Sequence, residues 1–383
     1  GNRSSPAHSL EPLAEPSGAH PQPMTPTGLK TSHRPAEDRK RLDSLDLLRF
    51  LAAAAVMFYN FYFIGPLQGF WPRTLYQPLA HWGDLGVDLF FVISGFVITL
   101  TSENRGTRAF IAARATRLFP AFLVCSAITA GMAITLPGIS AGEILPRWLA
   151  SLSFFPRALG IEPLSSVYWT LAIEIQFYAL VALLIAIGWW KRHADLILWT
   201  WLILSFAVQY VHQAPLLADV LITEYAGHFC AGMILYRIHA GQPPRFAIAA
   251  LLLAFSLMSR HIQPIDEWLG GSFQMLFPPL GIVLAAPVLA GLVFLAARTP
   301  SLPRGLPARG AALLGAMSYP LYLVHADLGF WSHAIFERKW FGLHPGLAGW
   351  VTYPRMAAGA AALSLLIALL VATRIEPGLQ ARM

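Results

Sequence analysis

The side chains of this sequence that could do chemistry are polar or ionisable groups inside long apolar stretches. Glu174 lies in the middle of one such stretch, Gln176 follows two residues later, and Asp88 stands near the start of another. A carboxyl group in apolar surroundings can act as a general acid or base near neutral pH. Because an ionisable side chain inside a membrane is costly, each carboxyl position is a candidate functional residue.

A stripe of hydrogen-bonding side chains marks a later apolar stretch. Ser318, Tyr322 and His325 stand at i, i+4 and i+7, which places them on one face of a helix. Such a stripe is suited to hydrogen bonding and proton transfer. A histidine in a membrane helix is also often a hydrogen-bonded core residue, so both interpretations of His325 stay open.

Arg49 and Asn60 share the first apolar stretch. Eleven residues separate them, nearly three helical turns, so they lie on one face about 16 Å apart in depth. Asp46 is near enough along the helix to pair with Arg49, and this ion pair could simply anchor the helix at the interface. Asn60 could equally serve as an interhelical hydrogen-bonding residue.

Arg114 and Arg117 stand three residues apart, on one helix face just before a further apolar stretch. Arginine can bind phosphate through two parallel hydrogen bonds, so the pair is typical of an anion site. Ordinary anchoring by positive charge explains the same spacing. The spacing alone therefore leaves both roles open.

The composition indicates which elements must hold these side chains. Of 383 residues, 56% are apolar and only 12% are charged, and the mean hydropathy is +0.55. Soluble domains carry roughly 25% charged residues, because their surfaces face water. The composition therefore excludes a soluble enzyme, a coiled coil and a disordered protein as descriptions of the whole chain.

Apolar stretches of membrane-spanning length repeat along the chain. We count ten, at 44–65, 82–101, 118–137, 166–189, 195–213, 218–239, 245–259, 273–297, 311–333 and 346–373. The predicted fold is all-α: a polytopic integral membrane protein with about ten transmembrane helices in one domain over residues 44–383. Residues 1–43 are rich in proline and poor in apolar side chains, which predicts a disordered cytoplasmic tail.

Basic residues are distributed unevenly between the connecting segments. With a cytoplasmic N-terminus, the inner segments and their boundaries carry 17 Lys and Arg residues, counted from Arg34 onward, and the outer segments carry 6. This positive-inside bias predicts that both termini are cytoplasmic. The net charge of +7 is then a topology signal, and no nucleic-acid partner is expected. Cys125 and Cys230 lie in apolar runs without metal-ligand spacing, so we expect buried thiols and no metal.

The same topology sorts the candidate residues by depth. The three arginines lie toward the cytoplasm, where an anionic cofactor would approach. The amide, carboxyl and imidazole candidates lie toward the outer side; these are Asn60, Asp88, Glu174 and His325. The pattern predicts anion recognition on the inner side, and proton chemistry or hydrogen bonding on the outer side.

Six segments, in order along the chain, resemble the motifs of the acyltransferase-3 family of polytopic membrane acyltransferases. Segment 46–53 resembles D-x-L-R-x-x-A-A, and segment 86–96 resembles G-V-D-L-F-F-V-L-S-G-F. Segment 114–120 resembles R-x-x-R-x-x-P, 169–178 resembles W-S-L-x-x-E-x-x-F-Y, 318–325 resembles S-Y-x-L-Y-L-x-H, and 376–377 resembles a closing E-P. Each motif alone is weak, whereas six in order make a specific resemblance.

The resemblance implies a membrane O-acyltransferase of the bacterial inner membrane, embedded in the lipid bilayer. The donor would be cytoplasmic acyl-coenzyme A, most simply acetyl-coenzyme A. The acceptor would be a hydroxyl of an extracytoplasmic or lipid-linked carbohydrate, such as a polysaccharide, a lipopolysaccharide or a lipid-linked oligosaccharide. No metal takes part in this reaction.

The resemblance also implies roles for individual residues. Arg114 and Arg117 would hold the phosphates of coenzyme A, and Arg49 would steady the donor deeper in the bundle. The catalytic candidates are Asn60, Glu174, His325 and Asp88, with hydrogen-bonding support from Ser94, Tyr322 and Gln176.

Asn60 departs from the family pattern, which places a histidine eleven residues after the arginine. A neutral amide cannot accept a proton as a base, although it can form hydrogen bonds. Two explanations stay open. In the first, the residue is an engineered His→Asn substitution that traps substrate. In the second, the asparagine is natural, and the chain either relies on His325 or Glu174 or is inactive.

Two other classes of protein fit some of these observations. A membrane transporter would also carry buried charges and interrupted helices, but such proteins commonly show repeated halves, and we find no internal repeat. A catalytically silent binding or assembly protein is supported only by Asn60.

Overall fold

A computed structural model describes residues 36–136, 138–212, 214–273, 279–299, 308–335, 346 and 352–380. The predicted tail over 1–43 lies mostly outside the described residues, and the first helix begins within it, at Ala36. The division into a tail and a membrane domain stays a prediction.

Helices dominate these ranges, and no strand occurs in them. The long or central helices are α1 (Ala36–Tyr59), α2 (Leu85–Ser102), α3 (Thr107–Ile134), α4 (Ala141–Ser151), α5 (Trp169–Ala186), α6 (Ala194–Phe206), α7 (Ala226–His239), α8 (Ala247–Phe273), α9 (Pro279–Arg298), α10 (Ala308–Ile335) and α11 (Tyr353–Leu370). Turns of π-helix extend α1, α6 and α11 over Asn60–Ile64, Ala207–Val211 and Val371–Ile375. Short helices cover Gly65–Leu67, Arg73–Leu75, Pro78–Gly83, Pro156–Leu159, Ser166–Tyr168, Trp189–Arg192, Pro215–Val220 and Glu376–Gln380.

Seven helical runs in the described part of the chain are long and apolar enough to cross a membrane. They are Asp43–Leu67, Pro78–Ser102, Thr107–Ile134, Ser166–Ala186, Ala194–Val211, Pro279–Arg298 and Tyr353–Gly378. The prediction of an all-α, polytopic membrane protein is confirmed. The other three predicted stretches correspond to α7, α8 and α10, so the count of ten stays a prediction.

One helix boundary and one additional helix differ from the sequence-based expectation. Helix α3 begins at Thr107, well before the apolar stretch expected from residue 118, so Arg114 and Arg117 lie within the helix. Hydropathy detects only the apolar part of a helix, whereas the backbone hydrogen bonds continue through good helix formers such as arginine. Helix α4 was not predicted, because its eleven residues are too few to span a membrane.

Helix α7 lies in the centre of the bundle. All residues from Ala226 to Tyr236 are buried, as expected of a helix with apolar residues on every face. It packs against α2 and α8, while α1 packs against α10 and α2. Cys230 on α7 and Cys125 on α3 are free, buried thiols, as predicted.

Two glycines allow the close crossing of α2 and α7. A Cβ on Gly232 would lie 2.6 Å from the backbone nitrogen of Phe96, and a Cβ on Gly95 would lie 2.9 Å from the backbone carbon of Phe229. Small residues let helix backbones approach in membranes, where van der Waals packing drives association.

We therefore expect Gly232→Ala to destabilise the protein by about 1–3 kcal/mol, because the added methyl meets backbone that cannot move aside. Thermal unfolding in detergent measures this as a lower Tm. Gly131→Ala on α3 is the matched control, since no atom lies within 4 Å of the added Cβ. Equal Tm values for the two variants would contradict the close crossing.

Candidate active site

A cavity inside the bundle collects side chains from five helices. Its polar lining comes from α1, α2, α3, α5 and α10, and consists of Arg49, Ser94, Arg114, Arg117, Thr170, Glu174, Tyr178, Ser318, Tyr319 and Tyr322. Aromatic and aliphatic side chains complete the wall, among them Phe90, Phe91 and Leu118. Six of the predicted site residues thus meet in one place, although they come from distant parts of the chain.

Positive charge dominates one part of this cavity. Arg49 is 8% exposed and pairs with Asp46, with Nη1 and Oδ1 3.1 Å apart. The Arg114 guanidinium lies over the rings of Phe110 and Tyr178, at 6.0 and 5.9 Å from their centroids. Its buried Nε has no hydrogen-bond partner among the described residues. Three arginines around one cavity are suited to an anion that would form the missing hydrogen bonds.

Glu174 is held by hydroxyl groups at the same cavity. Ser94 Oγ donates to Glu174 Oε1 at 3.2 Å, and the Tyr178 hydroxyl donates to the same oxygen. These two donors fix the carboxyl group on the lining. The predicted support by Ser94 therefore has a contact in the structure.

Tyr322 continues the polar lining toward the predicted outer side. Thr170 Oγ1 donates to the Tyr322 hydroxyl at 3.1 Å, and that hydroxyl donates to the Val167 carbonyl at 3.2 Å. The neighbouring Tyr319 hydroxyl is buried without a hydrogen-bond partner in the described ranges. Tyr319 is therefore a free donor beside the cavity.

Gln176 lies apart from these groups. It stands two residues after Glu174, and two residues rotate a helix by about 200°, so its side chain leaves the cavity wall. Its Oε1 is buried and has no hydrogen-bond partner in the part of the chain that the structure describes. The support predicted for Gln176 has no contact with the other site residues here.

Asn60 and His325 form a buried pair. The Asn60 Nδ2 lies 3.1 Å from His325 Nε2 and donates to the Val56 carbonyl at 3.0 Å. His325 Nδ1 lies 2.9 Å from the Tyr322 carbonyl and 3.1 Å from the Leu321 carbonyl. A nitrogen that faces carbonyl oxygens carries the proton, so Nδ1 donates and Nε2 accepts from the asparagine amide.

This pair lies just beyond the cavity. Tyr322 lines the cavity one turn before His325, and the two rings have centroids 5.8 Å apart. The predicted stripe therefore starts on the cavity wall at Ser318 and ends at the buried imidazole. The π-helical turn that starts at Asn60 interrupts α1 at the level of the pair, and such turns are frequent at functional sites.

Asp88 belongs to a different cluster of side chains. Its Oδ1 lies 2.6 Å from His228 Nε2 and 3.8 Å from His261 Nε2. His261 Nδ1 in turn lies 3.2 Å from Glu224 Oε1. Asp88 precedes Ser94 by six residues, which rotates its side chain toward α7 and α8 and away from the cavity.

Sequence reasoning did not select several residues that lie around these sites. Tyr178 had a detectable signal, because it follows Glu174 by four residues and so shares its helix face. His228 and His261 had none, since a lone histidine in an apolar helix has no period or motif to mark it. Within the described residues, no group of three or more His, Cys, Asp and Glu side chains is arranged to hold a metal ion.

Comparison with known proteins gives matches along most of the chain. A family described as an acyltransferase domain (Acyl_transf_3) matches residues 42–373. Nodulation protein 10 of Rhizobium leguminosarum bv. viciae is 28% identical over 376 residues, which cover 89% of this chain and 95% of that protein. No solved structure matches significantly.

Two further relatives have more descriptive names. The exopolysaccharide production protein ExoZ of Rhizobium meliloti is 32% identical over 260 residues, covering 63% of this chain and 75% of that protein. The O-acetyltransferase OatA of Staphylococcus aureus is 37% identical over 134 residues, which cover 29% of this chain and 22% of OatA.

Proposed function

This chain belongs to the acyltransferase-3 family, and on that premise we propose that it moves an acetyl group from acetyl-coenzyme A to a hydroxyl of a carbohydrate. The donor enters from the cytoplasm, and the acceptor lies on the outer side of a bacterial inner membrane, as a polysaccharide or a lipid-linked precursor. The names of ExoZ and OatA support this choice of acceptor and acyl group. The observation that carries the proposal is the cavity where three arginines meet a hydroxyl-bound carboxyl group.

The arginines bind the donor. Arg114 and Arg117 form hydrogen bonds with the phosphates of coenzyme A, and the free Nε of Arg114 gains a partner. Arg49 lies further into the bundle on α1 and neutralises the remaining negative charge. The thioester then lies beyond Arg49, on the side of the cavity where the Tyr319 hydroxyl is a free donor.

His325 is the base of the proposed reaction. Its Nε2 is the unprotonated nitrogen, and it takes the proton of the acceptor hydroxyl while the hydroxyl oxygen attacks the thioester carbonyl. The tetrahedral oxyanion collapses to the ester and releases the coenzyme A thiolate, which takes up the proton. The free hydroxyl group of Tyr319 stabilises the oxyanion in this step.

Asn60 weakens this base in the proposed mechanism. Its amide donates to His325 Nε2, so the acceptor hydroxyl has to displace that hydrogen bond. Once displaced, the amide is a further donor for the oxyanion. Glu174 lies on the cavity wall beside the donor, and we assign it to orienting the substrates through Ser94 and Tyr178.

We expect Asn60→His to give acyl transfer equal to that of this chain or up to about a hundredfold faster, because an imidazole can supply a base where an amide cannot. Initial rates of acetyl transfer measure the change. Asn60→Ala is the control that removes the amide without adding a base, and it is expected to stay below Asn60→His. If the Asn60→His variant transfers no acetyl group while the unchanged chain, with Asn60, is active, the idea that the amide impairs the enzyme is wrong.

Radiolabelled acetyl-coenzyme A tests the function itself. Membrane vesicles that contain the chain and surface glycan are supplied with the label on the cytoplasmic side. Label on the glycan supports the acyltransferase. Label inside the lumen without glycan product favours a transporter. If the label appears neither on the glycan nor in the lumen, a silent binding or assembly protein is favoured.

A further inference from the structure

A second cavity lies on the predicted outer side of the bundle, with a volume of about 440 Å³. It is surrounded by the short helix Gly65–Leu67, the loop after that helix, the end of α10 and the start of α11. Its lining consists of Pro66, Leu67, Gln68, Gly69, Trp71, Pro72, Arg73, His333 and Tyr353. Cavities that hold small molecules commonly have volumes of about 300–1,000 Å³, so one or two small rings fit here. We call it the outer cavity.

Three rings form one wall of the outer cavity. The centroids of Trp71 and His333 are 5.1 Å apart, and those of His333 and Tyr353 are 5.5 Å apart. Trp71 is only 1% exposed, so it is not an interfacial anchor that faces lipid. Trp71 forms the buried base of the wall, and the half-buried rings of His333 and Tyr353 carry its accessible surface.

Polar groups surround this aromatic wall. Gln68 and Arg73 are exposed and line the cavity. The indole nitrogen of Trp71 is buried, and no described residue accepts a hydrogen bond from it. A buried donor without an acceptor is costly, and a molecule bound in the cavity can supply the acceptor.

The loop that carries Trp71 is already ordered by backbone hydrogen bonds. The Phe70 nitrogen donates to the Gly65 carbonyl at 2.9 Å, and the Gln77 nitrogen donates to the Tyr62 carbonyl at 2.7 Å. Gly69 turns the chain at φ +80°, in the left-handed region that favours glycine. A cavity with a fixed wall binds a ligand without the entropic cost of ordering the loop.

We propose that the outer cavity binds a pyranose ring of the carbohydrate acceptor, an inference that rests on the proposed function. A pyranose has a flat face of C–H groups that packs on aromatic rings, and a rim of hydroxyl groups that bond to amide, guanidinium and indole donors. Arg73 is the charged side chain of the lining, and it favours a sugar that carries a carboxylate. The same charge opposes a quaternary ammonium group, which is the other ligand typical of aromatic cages.

The outer cavity and the buried Asn60–His325 pair are joined by ring packing and by helix α10. Trp71 packs against Phe61, the residue after Asn60, with ring centroids 6.2 Å apart. His333 follows His325 by eight residues on α10, which places it about 12 Å further along the helix. A sugar bound in the outer cavity therefore lies further out along α10 than His325, by about two turns of the helix.

Binding of trigalacturonate to the purified protein, without acetyl-coenzyme A, tests the inference. Titration calorimetry in detergent is expected to show binding that weakens about tenfold in Arg73→Gln, which removes the charge that faces the carboxylate. Tyr353→Ala is expected to weaken it by a similar factor, because it removes part of the aromatic wall. Arg157→Gln removes another exposed arginine of the predicted outer side and is expected to leave binding unchanged.

The outcomes separate this inference from the proposed function. The sugar site is overturned if the protein does not bind trigalacturonate. It is also overturned if Arg73→Gln and Tyr353→Ala bind it as tightly as the wild type does. If binding follows the expected pattern but the labelled assay shows no acetyl transfer, the sugar site is supported and the proposed acetyltransferase activity is contradicted. Thermal unfolding of each variant in detergent shows that a loss of binding does not come from a loss of folded protein.

Discussion

Replacing His325 by glutamine is expected to lower acetyl transfer by roughly 10²–10⁴-fold, because this range is typical of the loss of a general base. Glutamine keeps a hydrogen-bonding group near Asn60 but cannot take up a proton at neutral pH. The value of kcat is expected to fall while the KM for acetyl-coenzyme A changes little, since His325 does not line the cavity that holds the arginines. Initial rates with labelled donor at saturating acceptor measure both quantities.

His212→Gln is the matched control for this prediction. His212 is an exposed imidazole that lies outside both cavities, so its replacement is expected to leave the rate unchanged. If His325→Gln keeps more than half of the wild-type rate, His325 is a structural residue and the base is elsewhere. Glu174→Gln is then the variant that has to lose the activity.

Replacing both Arg114 and Arg117 by glutamine is expected to raise the KM for acetyl-coenzyme A by roughly 10²–10⁴-fold. A hydrogen bond to a charged group contributes about 1.5–3 kcal/mol, and every 1.4 kcal/mol is about tenfold in affinity. The value of kcat at saturating donor is expected to change much less, because the proposed mechanism has the arginines bind phosphates far from the thioester. Initial rates over a range of donor concentrations separate the two effects.

Arg108→Gln is the control on the same helix. Arg108 is exposed near the start of α3 and does not line the cavity, so its replacement removes a positive charge at the predicted cytoplasmic side without removing a donor contact. A double variant whose KM equals that of Arg108→Gln would show that Arg114 and Arg117 only anchor the helix. Bound coenzyme A located away from both arginines would contradict their role in the same way.

The cationic side of the candidate site was accessible to sequence reasoning. Arg114 and Arg117 had the spacing of a shared helix face, and the bias of basic residues placed that face toward the cytoplasm. The structure places both on the wall of one cavity together with Arg49 and Glu174, and their role in binding an anion stays a prediction. Local spacing sufficed here because helical periodicity alone decides which side chains of one helix lie together.

Periodicity was insufficient where a side chain depends on its partner helix. Asp88 was grouped with Glu174 because both are carboxylates at a similar depth, yet Asp88 faces His228 and His261 on α7 and α8. The period of a helix defines its faces but does not say which neighbour each face meets. That choice follows from packing of the whole bundle, here from glycines that bring α2 and α7 together.

The amino-acid sequence by itself determined that this is an all-α, polytopic membrane protein, because sparse charge and repeated apolar stretches admit no soluble fold. Its ordered motifs also indicated the family. Only the tertiary structure joined Asn60 to His325 across 265 positions, and it alone placed Trp71, His333 and Tyr353 around one outer cavity. The physical reason is that sequence patterns report which environment a side chain needs, whereas its partners are chosen by packing between helices far apart in the chain.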